Sequence, residues 1–429
     1  MTDRTSTANA APTTSSGFRA YAERTELAAL IDLARSRPEL SSTLAIVVVT
    51  SAIYLFTSSR DRQELDYFVR LADAFIHGRM TLLEAPSWLN ELIPAGPGEW
   101  YVAYPPFPAL LLVPVVAIFG TSIHEQVLSS IVGAGAVGLA WQLFRVFALS
   151  TRARVLLTVA FGFGSVLWYV SEVGSVWYYA SVVGVFFLLA ALNLAFRRRA
   201  PLLVGLFLGC AATSRLPIAL GAPAIAAILV DLHRSRPMPR LWPALRMLVP
   251  YAVGLAIPIG LYALYNVARW GTPIDQGYVA IPGVLDDPYY SKHGILSLWY
   301  VPRNLFAIFF RSWNYVDDPP FLQPSWWGLS IFLTTPLYLW LFKSRLSDPR
   351  VAWSLLGVGL IAIPIVTHGN VGTTQFGYRF SLDFQPFLFV MLATVLERGL
   401  SRLAIAATAV GVVGCAYAIW AISIGFVAF

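Results

Sequence analysis

An all-α, polytopic membrane protein is the fold class this sequence predicts, and three observations predict it. Hydrophobic residues make up 57% of the 429 and charged residues only 12%, with a mean hydropathy of +0.65, where a soluble domain carries about 25% charge. Apolar runs of bilayer-spanning length recur along almost the whole chain. Arginine-rich clusters recur between those runs and fall on one side of them.

The elements follow in order. Residues 1–40 are polar and read as a cytoplasmic N-terminal segment, and 41–429 as one transmembrane domain. A cleavable secretory signal is not expected, because its apolar region would come much earlier. Spans are expected at roughly 41–57, 124–147, 153–170, 176–196, 201–215, 217–232, 243–268, 328–342, 351–367, 384–397 and 402–426, about eleven in all. The clusters Arg145/Arg152/Arg154, Arg197-Arg198-Arg199, Arg234/Arg236/Arg240, Lys343/Arg345/Arg350 and Arg398/Arg402 then lie on the cytoplasmic side. This alternation holds if residues 105–120 do not cross. Pro105, Pro106, Pro108 and Pro114 break that stretch, which reads as a helix lying in the outer interface or dipping into the membrane.

Several classes are excluded. Cys210 and Cys415 both sit in apolar runs, without a disulfide framework or metal signature, and the five histidines lack ligand spacing. The net charge of +7 comes mostly from arginines flanking spans, so nucleic acid is not an expected partner.

Three loops face outward in this topology: 58–123, 267–327 and 368–384. They carry cations that the positive-inside rule does not explain, among them Arg60, Arg62, Arg70, Arg79, Arg269, Lys292, Arg303, Arg311 and Arg379, with Arg215 at the outer end of a span. An anionic lipid head group or a phosphorylated ligand would account for them. In the first loop Leu65, Phe68, Val69, Ala72, Phe75 and Ile76 recur at helical spacing, with Asp66, Arg70, Asp73 and His77 on the opposite stripe. Such a helix would show its carboxylates above the membrane surface. Ion pairing of Asp66 and Asp73 with Arg70 is the structural alternative. Glu64 and Asp61 precede the helix and could serve as helix-start acids.

Four segments together carry a resemblance: Asp66-Tyr67-Phe68-Val69-Arg70 through His77-Gly78-Arg79, Trp100-Tyr101-Val102-Ala103-Tyr104-Pro105-Pro106-Phe107-Pro108, Asn266-Val267-Ala268-Arg269-Trp270-Gly271-Thr272-Pro273, and Gln375-Phe376-Gly377-Tyr378-Arg379-Phe380-Ser381-Leu382-Asp383-Phe384. In their order the chain resembles the GT-C fold glycosyltransferases, in their bacterial protein-O-mannosyltransferase-like branch. The resemblance implies a GT-C-like membrane domain with a long first extracytoplasmic loop. It implies an enzyme of the plasma (inner) membrane that moves a sugar from a polyprenyl-phosphate carrier to an acceptor hydroxyl, with inversion and a first-loop carboxylate as base. Where that family carries an Asp-Glu pair before the aromatic at Tyr67, this chain has Gln63-Glu64, with further acids at Asp61 and Asp66.

Transfer from a lipid phosphate needs a base for the acceptor and positive charge on the leaving phosphate. Asp66 is the preferred base, with Glu64 and Asp61 as alternatives. Arg379 is the preferred phosphate ligand, its alternative being a pair with Asp383; Arg215, Lys292 and Arg303 join it as candidates. Asp73, Tyr104 and Tyr378 are assigned to acceptor or sugar. No cofactor is expected beyond the lipid-linked donor. Asp286-Asp287 and Asp317-Asp318 have the chemistry to hold a divalent cation, although acid pairs beside prolines are ordinarily turn residues. The acceptor is open between glycan, lipid and protein. The rival function is a transporter or flippase of lipid-linked sugars, which would bury ionisable groups along a mid-membrane path.

Overall fold

Apolar runs in lipid must satisfy their backbone groups internally, so they fold as helices. In the computed structural model, which describes residues 38–58, 65–197, 199–234, 241–372 and 375–427, six helices are long and apolar enough to cross a membrane. These are Pro38–Thr57, Glu125–Phe144, Trp177–Phe196, Leu248–Trp270, Pro349–Thr367 and Arg402–Ser423. Thr151–Gly162 and Leu167–Val173, bent by 45°, make a seventh if taken as one broken span.

About eleven were expected, and the difference has a physical cause. The runs at 201–215, 217–232 and 384–397 form shorter apolar helices, Pro201–Ala212, Leu216–Val230 and Gln385–Leu396. The run at 328–342 splits into Ile331–Thr334 and a 3₁₀ stretch, Pro336–Lys343. Except in Ile331–Thr334, prolines sit at the starts of these pieces, where a missing N–H is tolerated but helix cannot continue from behind. The stretch after Tyr104 forms Phe107–Phe119, with Pro114 inside it, a 13-residue helix that matches the short, broken element expected there.

The first loop is a folded unit. Its helix Tyr67–Ile76 is followed by a β-hairpin, Leu92–Gly96 with Glu99–Val102, in register Leu92↔Val102 and Ile93↔Tyr101. Tyr67, Phe68, Val69, Leu71 and Ala72 are buried, in a core shared with Leu112, Val176, Tyr179 and Val183. The helix is therefore covered on most sides, where an interfacial helix with one apolar stripe was expected. The stripe Arg70, Asp73 and His77 keeps part of its surface, as do Phe75 and Ile76 at the helix's C-terminal end. The hairpin is held from the far end of Leu248–Trp270, where Arg269 donates from Nη1 to the Val102 carbonyl (2.8 Å). Trp177–Phe196 belongs to both this core and the main bundle core, which fixes the loop on the bundle.

Candidate functional site

The helix Tyr67–Ile76 begins at the mouth of the bundle, and four of its N–H groups need outside acceptors. Asp66 stands at its N-cap position without capping it. Glu125 does that from a distant part of the chain: one carboxylate oxygen accepts from Phe68 N (2.8 Å) and Val69 N (3.0 Å), the other from Val176 N (3.1 Å). Glu125 is thus a structural pin between loop and bundle. Asp66 instead accepts from Arg70 Nε (2.8 Å) and from the Trp88 indole (3.1 Å), so both of its oxygens are engaged. Asp73 lies near His77 Nδ1 (3.6 Å) and Arg79 (3.9 Å) on the half-exposed stripe. Glu64 and Asp61 lie outside the described residues.

The carboxylate that faces the bundle is Glu91, which the sequence reading did not single out. It directly precedes the hairpin strand Leu92–Gly96, and its own N–H donates to the Tyr67 hydroxyl (2.8 Å). Its Oε2 is buried with no hydrogen-bond partner. Burial pushes its pKa up to about 7, against opposing pulls from the Arg379 charge and the Trp177 indole. A sequence signal for it did exist. Ala95-Gly96-Pro97-Gly98 between two apolar runs marks a hairpin, and Glu91 is the acid at that hairpin's base.

Arg379 is its counterpart. The guanidinium is buried, with Nε and Nη1 lacking any hydrogen-bond partner. It faces the rings of Tyr178 (5.0 Å), Phe380 (5.2 Å) and Trp177 (5.3 Å). Contacts of this kind are worth about 0.5–2 kcal/mol each, less than the several kcal/mol that burying an unpaired charge costs. Burial accordingly lowers its pKa. The loop is built to hold it there. Gln375 ties Val371, Gly372 and Trp327 carbonyls together through Nε2 and accepts from Arg379 N (3.1 Å). Gly377 takes φ +69° in a space where a Cβ would meet Thr334 at 2.9 Å, so the turn before Arg379 requires glycine.

Arg215 is the residue that pairs with Asp383, through Nε–Oδ1 (3.1 Å) and Nη2–Oδ2 (3.0 Å). The pairing foreseen as Arg379's alternative belongs to Arg215, and this leaves Arg379 unpaired. Arg303 donates to the carbonyls of His368 (3.4 Å) and Gly369, and its Nε is buried without a partner. Lys292 is exposed on its loop. Tyr104 accepts from the Trp177 indole (2.9 Å) and packs edge-on against Tyr67. Tyr378 is buried, with an unpartnered hydroxyl. His368, half-buried beside Tyr278 and Tyr290, has its pKa lowered by desolvation and by the charges of Arg215, Arg303 and Arg379. Several guanidiniums therefore converge on one small region, only one of them in a carboxylate pair.

Asp287 spends Oδ1 on the Tyr289 N–H (2.8 Å), as a turn residue does. Among the described residues no three His, Cys, Asp or Glu side chains gather as a metal-binding group.

No family model matches the chain, and no curated protein does. Among solved structures it is similar to ArnT from Cupriavidus metallidurans bound to undecaprenyl phosphate, with a TM-score of 0.52 at 15% identity over 87% of this chain. The apo state of the same protein gives a TM-score of 0.49 at 14% identity. The fold is GT-C-like. The chain spans 63% of the length of that ArnT structure.

Proposed function

We propose that the chain is a glycosyltransferase of the plasma (inner) membrane that moves a hexosyl or pentosyl group from a polyprenyl-phosphate carrier to an acceptor hydroxyl, at the extracytoplasmic end of the bundle. One observation carries this reading: buried Arg379 and half-buried Glu91 each hold a buried, unpartnered polar atom at the same end of the molecule and within reach of each other's charge. Buried polar groups without partners are rare and ask for a ligand. Phosphate is the ligand a guanidinium takes best, and a carboxylate near pH 7 is suited to take a hydroxyl proton. The likeness in fold to a protein bound to undecaprenyl phosphate supports the same donor class.

The step balances with these two groups. The acceptor O–H gives its proton to the Glu91 carboxylate as its oxygen bonds to the anomeric carbon. The bond from that carbon to the phosphate oxygen breaks, and its electron pair leaves on polyprenyl phosphate. Arg379 stabilises the leaving charge in a site of low dielectric, where such contacts are strongest. Attack opposite the leaving phosphate inverts the sugar carbon.

Asp66 is the second reading for the base, favoured by its link to Trp88 at the mouth of the neighbouring cavity. In that role it would first have to leave Arg70. Glu64 and Asp61 stay as further first-loop candidates. Arg303 is proposed as a second contact for the carrier, and Tyr378 and Tyr104 as walls of the site.

The test is binding of polyprenyl phosphate to the purified full chain. Arg379→Lys keeps a charge but loses the planar fork, and should weaken binding by about tenfold or more. Arg379→Ala should cost about 10²–10³ in turnover of a lipid-linked sugar. Wild-type affinity and turnover in both variants would sink the reading.

A further inference from the structure

Beside Glu91 and Arg379 lies a cavity of about 380 Å³, at the small end of the ~300–1,000 Å³ usual for ligand pockets. Its walls come from distant parts of the chain. Trp88 belongs to the first loop, Trp177 and Tyr178 to the start of Trp177–Phe196, and Trp326 to the segment before Ile331–Thr334. These four aromatics offer flat apolar surface. Between them Asn90, Gln126 and Ser175 supply amide and hydroxyl groups.

None of the residues lining the cavity carries a charge. That is notable at this end of the molecule, where Arg215, Arg303, Arg379, Asp66 and Glu91 crowd close by. The charges are kept behind the walls. Asp66 is turned to Arg70 and to the Trp88 indole, and Arg379 stands over the rings of Trp177 and Tyr178. Asn90 and Trp88 are exposed, so the cavity opens toward water, and Trp177 in its wall stands beside Glu91.

We infer that this cavity holds an uncharged sugar ring of the acceptor. A pyranose has two kinds of surface, C–H faces that pack on aromatic rings and hydroxyls that need neutral donors and acceptors, and the lining supplies both. Away from the hydroxyl that meets Glu91, an ammonium or carboxylate on the ring would lose water here and meet no opposite charge on the walls. A ring seated here has one hydroxyl directed to the Glu91 carboxylate, while the donor's phosphate occupies Arg379 from the membrane side. The acceptor is therefore a neutral glycan or glycoside. This inference rests on the transferase reading above and gives it a substrate class.

The experiment uses the full chain in lipid nanodiscs and reads binding of three methyl hexopyranosides by saturation-transfer NMR: a neutral hexoside, its 2-amino analogue and its uronate. The neutral glycoside should bind, with each charged analogue at least about fivefold weaker, because no countercharge awaits it. Trp326→Ala should abolish that signal. Ser87→Asp, at an exposed position on the rim, should raise affinity for the amino sugar about fivefold. Binding of polyprenyl phosphate, measured on the same samples, confirms that each variant is folded. Equal binding of the three glycosides, absence of any binding, or unchanged binding in Trp326→Ala overturns the inference. If instead the wild type binds the neutral glycoside but not polyprenyl phosphate, the transferase reading falls and the neutral-sugar site stands.

Discussion

At the end of the bundle that holds Arg145 and Arg350, both of these guanidiniums meet carboxylates. Arg350 bonds both Asp348 (2.7 Å) and Glu397 (2.8 and 2.9 Å), and Glu397 also accepts from Ala148 N (2.9 Å). Arg145 reaches Glu39 at 3.0 Å. At the opposite end Arg215 is paired with Asp383, yet Arg379 and Glu91 keep unpartnered atoms in buried positions. Both ends are rich in charge; at the first, Arg154 keeps one buried Nε without a hydrogen-bond partner, over the Trp141 ring, and at the second a guanidinium and a carboxylate both keep such atoms. Matched charge staples helix ends. Unmatched buried charge destabilises the fold, and it persists where a ligand completes it.

A matched pair of carboxamide substitutions tests this contrast most strongly. Glu91→Gln should lower sugar transfer by about 10²–10⁴-fold, the usual worth of a general base, with no loss of thermal stability. Glu397→Gln should do the reverse, costing about 1–3 kcal/mol of stability through its charged hydrogen bonds while folded molecules keep ordinary turnover. If Glu91→Gln is active and Asp66→Asn is dead, the base is Asp66, and the contrast between ends rests on Arg379 alone.

At the end that holds Glu91, Arg215 and Arg379 can be set against each other. Asp383→Asn leaves Arg215 beside a neutral partner and should destabilise the protein by roughly 3–5 kcal/mol, since Asp383 is fully buried. Thermal unfolding in detergent or nanodiscs reads this. Removing the Arg379 charge deletes no pair and should cost far less stability. Comparable losses from both substitutions would mean that Arg379 has a structural partner after all.

The smallest effect is in the pH dependence. Burial raises the Glu91 pKa to about 7 from 4.5, so the group is protonated below that pH in the folded chain. Its base form grows as pH rises, and kcat/KM should climb about tenfold per unit up to pH 7 and then level off. The same upward shift means that its contribution to stability is full below about 4.5 and is lost as pH rises through 7. Glu91→Gln should flatten both profiles. A rate limb that ends near pH 4 would point to a solvated carboxylate as the base instead.

The order of residues by itself determined a good deal. Composition and apolar runs required a helical membrane bundle, because hydrocarbon leaves the backbone no other way to satisfy itself. The prolines after Tyr104 marked a short, broken helix there, and the helical periodicity at 65–76 marked the first-loop helix. Cations away from the basic clusters drew attention to Arg379. Tertiary structure decided which of the charged residues are free. Arg215 finds Asp383 across 168 residues, and Glu125 caps a helix 57 residues before it. Those partners are taken in space, so the sequence offered Asp383 to Arg379 and promoted Asp66, a carboxylate whose oxygens are already occupied. Glu91 looked ordinary between Asn90 and Leu92 because its character comes from burial against Trp177 and Arg379, two elements brought beside it only by folding. Pairing and desolvation act over a few ångströms in three dimensions, and spacing along the chain does not record them.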